Sequence, residues 1–202
     1  MYLVQPTYLI KAIYPKAVWR KSDEAKKLYL TFDDGPIPEI TEWVLIVLKQ
    51  YNIKATFFCV GDNIVKHPGL FQKIIDEQHS VGNHTFNHLN GWKTHSFEYM
   101  HNISKCNDLV QSSLFRPPYG KMKKAQYRLL QKNYSIIMWD VLSGDYDKNT
   151  SPEKCLDNVI KNYRAGSIVL FHDSIKAWER LQYALPRFIE HALHEGYSFE
   201  KL

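Results

Sequence analysis

From residue 28 onward, short β-rich runs alternate with segments of helical periodicity, and this alternation restricts the fold more than any other feature of the chain. Candidate strands lie at 28–32, 55–60, 80–82, 113–115, 136–139, 167–171 and 197–199. Between them, 38–51, 70–77, 97–110 and 177–194 repeat apolar residues at the 3.6-residue spacing of a helix face. Strand–helix alternation implies a parallel sheet with helices outside it. About seven strands are enough to curl into a distorted (β/α) barrel, and an open doubly wound sheet uses the same alternation. The chain has 202 residues, which fits a single domain. The expected division is an N-terminal arm over 1–26 that packs on the domain and the domain proper over 27–202.

The arm is the one compositional outlier. Leu3, Val4, Leu9, Ile10, Ile13, Val18 and Trp19 are apolar, but Pro6, Lys11, Pro15 and Lys16 break them up. A secretory signal has an unbroken apolar stretch and a small-residue cleavage site, and neither is visible. An amphipathic interfacial anchor is the alternative reading. No run approaches the ~20 apolar residues of a membrane-spanning helix. Cys59, Cys106 and Cys155 are odd in number and widely spaced, which fits buried thiols rather than a disulfide framework or a CxxC metal site. The net charge of +5 gathers in the arm and at Lys121, Lys123 and Lys124, without the aromatic interleaving of a nucleic-acid module. Nucleic acid is therefore not an expected partner; an anionic polymer such as a cell-wall glycan is the sharper reading of the charge. A monomer is expected.

The polar side chains are concentrated where strands end. TFDDGP, GNHTFNH, RPPYG, WDVLSGD and FHDS each follow a β-rich run. In a barrel those loops share the C-terminal face, where such folds place chemistry. Asp33 and Asp34 are adjacent at a strand end, so their side chains point in different directions and can serve two tasks; a pair capping the next helix is the plainer reading. His84 and His88 are four residues apart and lie on one side if the backbone turns there. With a carboxylate they make a three-ligand transition-metal set with an open position, while paired surface histidines are the bland alternative. Arg116 stands before Pro117 and Pro118, which stiffen a loop able to hold bidentate contact with a carboxylate. His172 follows an apolar strand, and either Asp145 or Asp140 can orient it as a proton donor.

Five ordered motifs carry a resemblance: Thr31–Pro36, His84–His88, Arg116–Gly120, Asp140–Tyr146 and Leu170–Asp173. Together they resemble the polysaccharide deacetylase family with the NodB homology domain, carbohydrate esterase family 4. The resemblance implies a distorted (β/α) barrel and removal of N-acetyl groups from N-acetylhexosamine units of a glycan such as peptidoglycan or chitin. It implies a divalent metal, zinc first with cobalt or nickel as alternatives, held by Asp34, His84 and His88. It implies Asp33 as general base, Arg116 as its tether, Tyr119 as the residue whose backbone N–H holds the oxyanion, His172 as general acid and Asp145 as its partner. Trp139, Leu170 and Tyr119 are expected to line the substrate groove. Tyr146 stands where family members often carry Trp, which leaves a smaller sugar-stacking surface. A metal-dependent amidase or esterase on a small substrate, and a glycan-binding module with a decayed site, are the rival readings. A glycan substrate argues for the envelope; the unpaired cysteines and the absence of a recognisable signal argue for the cytosol, which is the expectation.

Overall fold

In the computed structural model, which describes residues 2–22 and 25–202, the chain runs in this order. A short helix α1 (Tyr8–Ile13) precedes β1 (Lys27–Asp33), α2 (Ile40–Gln50), β2 (Thr56–Cys59), α3 (Gly61–Lys66), α4 (Pro68–Asp76) and β3 (Ser80–Asn83). Then come α5 (Ser96–Val110), β4 (Leu114–Phe115), a 3-10 turn at Pro118–Gly120, α6 (Lys124–Leu130), β5 (Ser135–Ile136) and β6 (Val141–Leu142). The chain ends with α7 (Pro152–Ile160), β7 (Ile168–His172), α8 (Trp178–His194) and β8 (Ser198–Glu200).

Strand β1 is buried from Leu28 to Asp33 because it lies in the middle of the sheet. The strand order is β5-β4-β3-β2-β1-β7-β6, with β8 beside the first half of β1, and every pairing is parallel. Parallel pairing puts all C-terminal strand ends at one edge. The sheet and the helices α2, α7 and α8 enclose a core that includes Leu28, Phe32, Leu48, Phe57, Val169, Leu185 and Phe188. A second cluster around Tyr14, Trp19, Tyr99, Phe115 and Tyr127 fills the other side. This is the distorted (β/α) barrel that the resemblance implies, one of the two folds the alternation left open.

The outer strands β5 and β6 do not pair with each other, and the arm runs along the gap between them. Val18 N–H donates to the Ile136 carbonyl and Met138 N–H donates back to Val18, both at 2.8 Å. On the other side Lys21 N–H donates to Gly166 (2.9 Å), and Leu142 N–H donates to the Val4 carbonyl (2.8 Å). Unpaired strand edges expose rows of donors and acceptors, and here the arm satisfies them. Asp140, almost fully buried, anchors this seam. It accepts from Ser167 Oγ at 2.8 Å and pairs with Arg164 at 3.3 Å and Lys11 at 3.4 Å.

Several elements differ from the sequence expectation. The run 136–139 is not one strand: β5 ends at Ile136, and a separate strand β6 forms within the expected loop at Val141–Leu142. Helices α1, α3, α6 and α7 lie outside the helical segments expected from the sequence. His79 is buried; its Nδ1 accepts the Ala55 N–H, and burial lowers its pKa to about 4. The three cysteines are free and buried. Among the described residues no helix is long and apolar enough to cross a membrane.

Candidate active site

The register of the sheet brings distant residues together. Asp33 closes β1 and His172 closes β7, and the two are direct partners across the ladder. Asn83 ends β3 beside Phe115 of β4, so His84 and Arg116 leave adjacent strands. These ends surround a cavity of about 630 Å³ lined by Asp33, Asp34, His84, His88, Tyr119, Trp139, Tyr146, Leu170 and His172. Every residue singled out from the sequence for metal, base, acid or groove therefore borders one cavity. Arg116 and Asp145 lie directly behind it.

Arg116 is completely buried and fixed from four sides. Its guanidinium donates to Asp33 Oδ1 (2.7 Å), Thr31 Oγ1 (2.9 Å), and the carbonyls of Met138 (3.0 Å) and Ile137 (3.3 Å). Its plane lies 4.1 Å from the Phe58 ring centroid. The Arg116–Asp33 pair is therefore a buried one and not an exposed loop ion pair. Burial pushes the Arg116 pKa down, and the Asp33 carboxylate opposes that.

Asp34, His84 and His88 present ligand atoms that all lie within 4.8 Å of one another. The five-residue span from His84 to His88 is not helical. Left-handed backbone at Thr85 (φ 64°) and His88 (φ 53°) folds the loop so that the rings stand 5.1 Å apart. Asn83 Oδ1 accepts the Thr85 N–H, and Thr85 Oγ1 accepts the Leu89 N–H, which holds this bend. Asp34 and Tyr119 are also left-handed, at 89° and 62°. Such backbone costs ~1–3 kcal/mol per residue and collects where function demands it.

Three observations test whether these side chains suit a divalent cation. His84 Nδ1–H donates to the Arg116 carbonyl at 2.8 Å, so its Nε2 is left as a bare lone pair facing the cavity. Burial lowers the His84 pKa to about 4, so the ring is neutral at pH 7, as a ligand must be. Asp34 Oδ1 is buried and receives no hydrogen bond; His88 Nε2 is 3.2 Å away without the geometry of one. Burial raises the Asp34 pKa, but the close His88 ring and the His172 charge outweigh it and hold the carboxyl well below the usual range. A buried charged oxygen without a donor, beside two imidazole nitrogens, fits a cation.

His172 is oriented by Asp145. Its backbone N–H and its Nδ1–H donate to the two oxygens of that carboxylate at 2.7 and 2.8 Å. Burial lowers its pKa, but the Asp145 charge and hydrogen bond prevail and raise it to about 9. Asp140 is far along the seam with Lys11 and Arg164, so of the two carboxylates open from sequence Asp145 is the partner. Tyr119 sits in the tight turn after the prolines. Gly120 and Lys121 turn their N–H groups back to Pro117 and Pro118, which leaves the Tyr119 N–H outside that pairing.

Sequence reasoning missed Asp173. It is fully buried, accepts from Gly35 N–H (3.0 Å) and Thr41 Oγ1 (2.6 Å), and so pins the turn that carries Asp34. A Cβ at Gly35 would lie 1.9 Å from the Asp173 carboxylate, so only glycine lets the two meet. Burial raises the Asp173 pKa to about 8. The signal was present in FHDS, where alternation along a strand end sends His172 and Asp173 opposite ways. Asn63, which donates to the Asp34 carbonyl at 2.7 Å, and Leu142, which lines the cavity, had no legible signal.

The polysaccharide deacetylase family profile matches residues 20–136. A peptidoglycan-N-acetylglucosamine deacetylase of Bacillus cereus is 38% identical over 152 residues, 72% of this chain and 55% of that protein. The chain thus spans about half the length of that relative. The crystal structure of the Bc1960 peptidoglycan N-acetylglucosamine deacetylase, in complex with 4-naphthalen-1-yl-N-oxidanyl-benzamide, superposes with a TM-score of 0.89 at 31% identity, covering 98% of this chain and 95% of that one. BA3943, a carbohydrate esterase family 4 pseudoenzyme from Bacillus anthracis, has a TM-score of 0.83 at 26% identity over 93% of this chain and 68% of its own. With 117 of the 202 residues inside the profile and the five strand-end motifs meeting in one cavity, this chain belongs to the polysaccharide deacetylase family.

Proposed function

We propose that this protein is a metal-dependent N-deacetylase that hydrolyses N-acetyl groups on N-acetylglucosamine units of peptidoglycan or a chitin-like oligosaccharide. The observation that carries the reading is the bare donor set of Asp34, His84 and His88 beside two further titratable groups, Asp33 and His172, in one cavity. A pseudoenzyme with this fold makes the side chains, rather than the fold, the deciding evidence. Two imidazoles and one carboxylate suit zinc, and cobalt or nickel bind similar sets. When bound, the cation supplies Lewis-acid polarisation of the acetyl carbonyl and acidifies water.

The protein's own groups divide the remaining work. Arg116 occupies Asp33 Oδ1, so Oδ2, 3.7 Å from His84 Nε2, is the oxygen left to take a proton from the attacking water. The Tyr119 N–H donates to the carbonyl oxygen as it becomes an oxyanion; one such donor is typically worth ~3–4 kcal/mol. His172 delivers its proton to the departing nitrogen, so that the C–N bond breaks to acetate and a free amine. Leu170 and Trp139 exclude water around the acetyl group, and Tyr119 and Tyr146 offer aromatic faces to the sugar.

Acetate release from peptidoglycan fragments and chitin oligosaccharides, with and without a chelator, tests the reading. Release abolished by chelator and restored by zinc is expected; no release from any acetylated glycan overturns it. His84→Ala is expected to lower zinc affinity by more than the ~10–100-fold typical of groups behind the ligands. Calorimetric zinc titration checks this, and an unchanged affinity removes His84 from the ligand set.

The proton donor predicts the alkaline side of the pH profile. His172 acts when protonated, and its pKa is raised from 6.5 to about 9. A cation beside Asp34 opposes part of that rise, so the alkaline limb of kcat/KM is expected between those two values. Asp145→Asn removes the carboxylate that causes the rise and is expected to move the limb toward lower pH. The same pair contributes stability that is full below pH 6.5 and is lost as pH climbs through about 9. A limb that stays put in Asp145→Asn refutes the pairing as its origin.

A further inference from the structure

Helix α1 carries its apolar side chains on the outside. None of its residues is buried; Tyr8 is 84%, Leu9 77% and Ile13 42% exposed, with Leu3 of the same arm at 51%. Tyr8 with Ala12 and Leu9 with Ile13 are i,i+4 neighbours, so the four form one stripe. Scattered apolar residues on a surface are ordinary, but a contiguous apolar patch rimmed by polar groups marks a docking face. We propose that this stripe, together with the lysines and arginine beside it, docks on the surface of an anionic lipid bilayer. The proposal goes beyond the deacetylase reading and does not depend on it.

The charge pattern identifies the occupant. Residues 1–22 and 109–139 contain no Asp or Glu, although the chain has 21 of them. The fold packs these two acid-free stretches together. The Tyr14 hydroxyl donates to the Met122 carbonyl at 2.7 Å and accepts the Met122 N–H at 3.0 Å, and the Lys16 N–H donates to the Tyr127 hydroxyl at 2.7 Å. The apolar stripe therefore stands beside exposed Lys16 in the arm and exposed Lys123, Lys124 and Arg128 at α6. On the inner side of α1, Ile10 packs against the cluster of Tyr14 and Tyr127, and Lys11 pairs with Asp140 at 3.4 Å. A helix of 6 residues is too short to persist alone, so these inner contacts hold the stripe in shape before it meets a surface.

A bilayer answers both halves of this face. Leu9, Ala12 and Ile13 enter the acyl boundary, Tyr8 sits at headgroup depth, and the cations meet lipid phosphates. A soluble polyanion satisfies the cations but leaves the aliphatic stripe in water. A second copy docked about a two-fold axis covers the stripe but sets the same cations against one another. Trp92 extends the pattern: it is 51% exposed, its indole N–H donates to the same Met122 carbonyl at 3.0 Å, and Lys121 Nζ sits 5.1 Å from its ring centroid. Lys121 also borders the reaction cavity, so docking holds the rim of that cavity at the membrane surface.

The test is co-sedimentation of the full chain with vesicles, one set of equal parts phosphatidylglycerol and phosphatidylcholine and one of phosphatidylcholine alone. The chain is expected to bind the anionic set, to bind the neutral set far more weakly, and to be released as salt rises from about 0.05 M to about 0.5 M. Lys124→Gln and Arg128→Gln are each expected to weaken partitioning about fivefold. Tyr8→Ser combined with Leu9→Ser is expected to weaken it by more than about tenfold. All four side chains are exposed, so each variant is expected to keep its Tm, which separates lost docking from lost folding. No binding to the anionic vesicles overturns the proposal. Binding that falls with the charge variants but is unmoved by the Tyr8 and Leu9 changes overturns it in favour of a soluble polyanion. Self-association in sedimentation velocity that the Tyr8 and Leu9 changes abolish, without vesicle binding, overturns it in favour of a second copy. Acetate release from a soluble oligosaccharide bears on none of these outcomes, so the docking face and the deacetylase reading fail separately.

Discussion

Asp33→Asn is expected to lower turnover by about 10²–10⁴-fold, the range of a single general base, while zinc affinity stays close to that of the unaltered chain. The reason is the division between adjacent aspartates. Asp33 points toward Arg116, whose Nη1 is 2.7 Å from Oδ1, and Asp34 points toward His88, whose Nε2 is 3.2 Å from its Oδ1. Asparagine keeps an oxygen for the Arg116 hydrogen bond and nearly the same volume. It loses the basic oxygen that takes the proton from water. Acetate release and zinc titration on the same preparation check both halves. Near-normal release removes Asp33 from the base role, and a matching loss of zinc moves it into the ligand set.

Arg116→Met has the largest expected effect on stability. It removes the partner of a carboxylate that is itself 3% exposed and strands the carbonyls of Ile137 and Met138. Leaving a buried charge unpaired costs ~3–5 kcal/mol. At about 2–4 °C per kcal/mol for a chain of this size, Tm falls by roughly 6–20 °C. Adding Asp33→Asn to Arg116→Met removes the stranded charge, so the double variant is expected to melt above the Arg116→Met single variant. Thermal unfolding of the four proteins in the cycle measures that coupling. A single-variant loss below ~1 kcal/mol, the size of an exposed ion pair, refutes the buried tether.

The site was more legible than the fold around it. Titratable residues at five strand ends are a local signal, because a polar cluster after an apolar run is read without knowing what the run pairs with. Its convergence followed from parallel pairing alone, since parallel strands all end at one edge. The Asp145-or-Asp140 choice was not legible. Both follow the same apolar run, and only the bend that makes β6 sends Asp145 to His172 and Asp140 to Ser167 and Arg164. Asp173 was hidden for a related reason: its partners Gly35 and Thr41 lie 138 and 132 residues away. His84 and His88 lie on one side because left-handed bends at Thr85 and His88 turn the loop.

The residue types by themselves determined the kind of chemistry available and the edge of the sheet where it gathers, because side-chain donors and strand–helix alternation are properties of short stretches. Tertiary structure decided which carboxylate meets which base, and it gave the N-terminal arm its place on the sheet. Arm residues Val4, Val18 and Lys21 satisfy open strand edges whose partners are more than 100 residues away in the chain, at Leu142, Ile136, Met138 and Gly166. A hydrogen-bonding edge belongs to no single segment; it exists only once the sheet's register has left donors and acceptors unpaired.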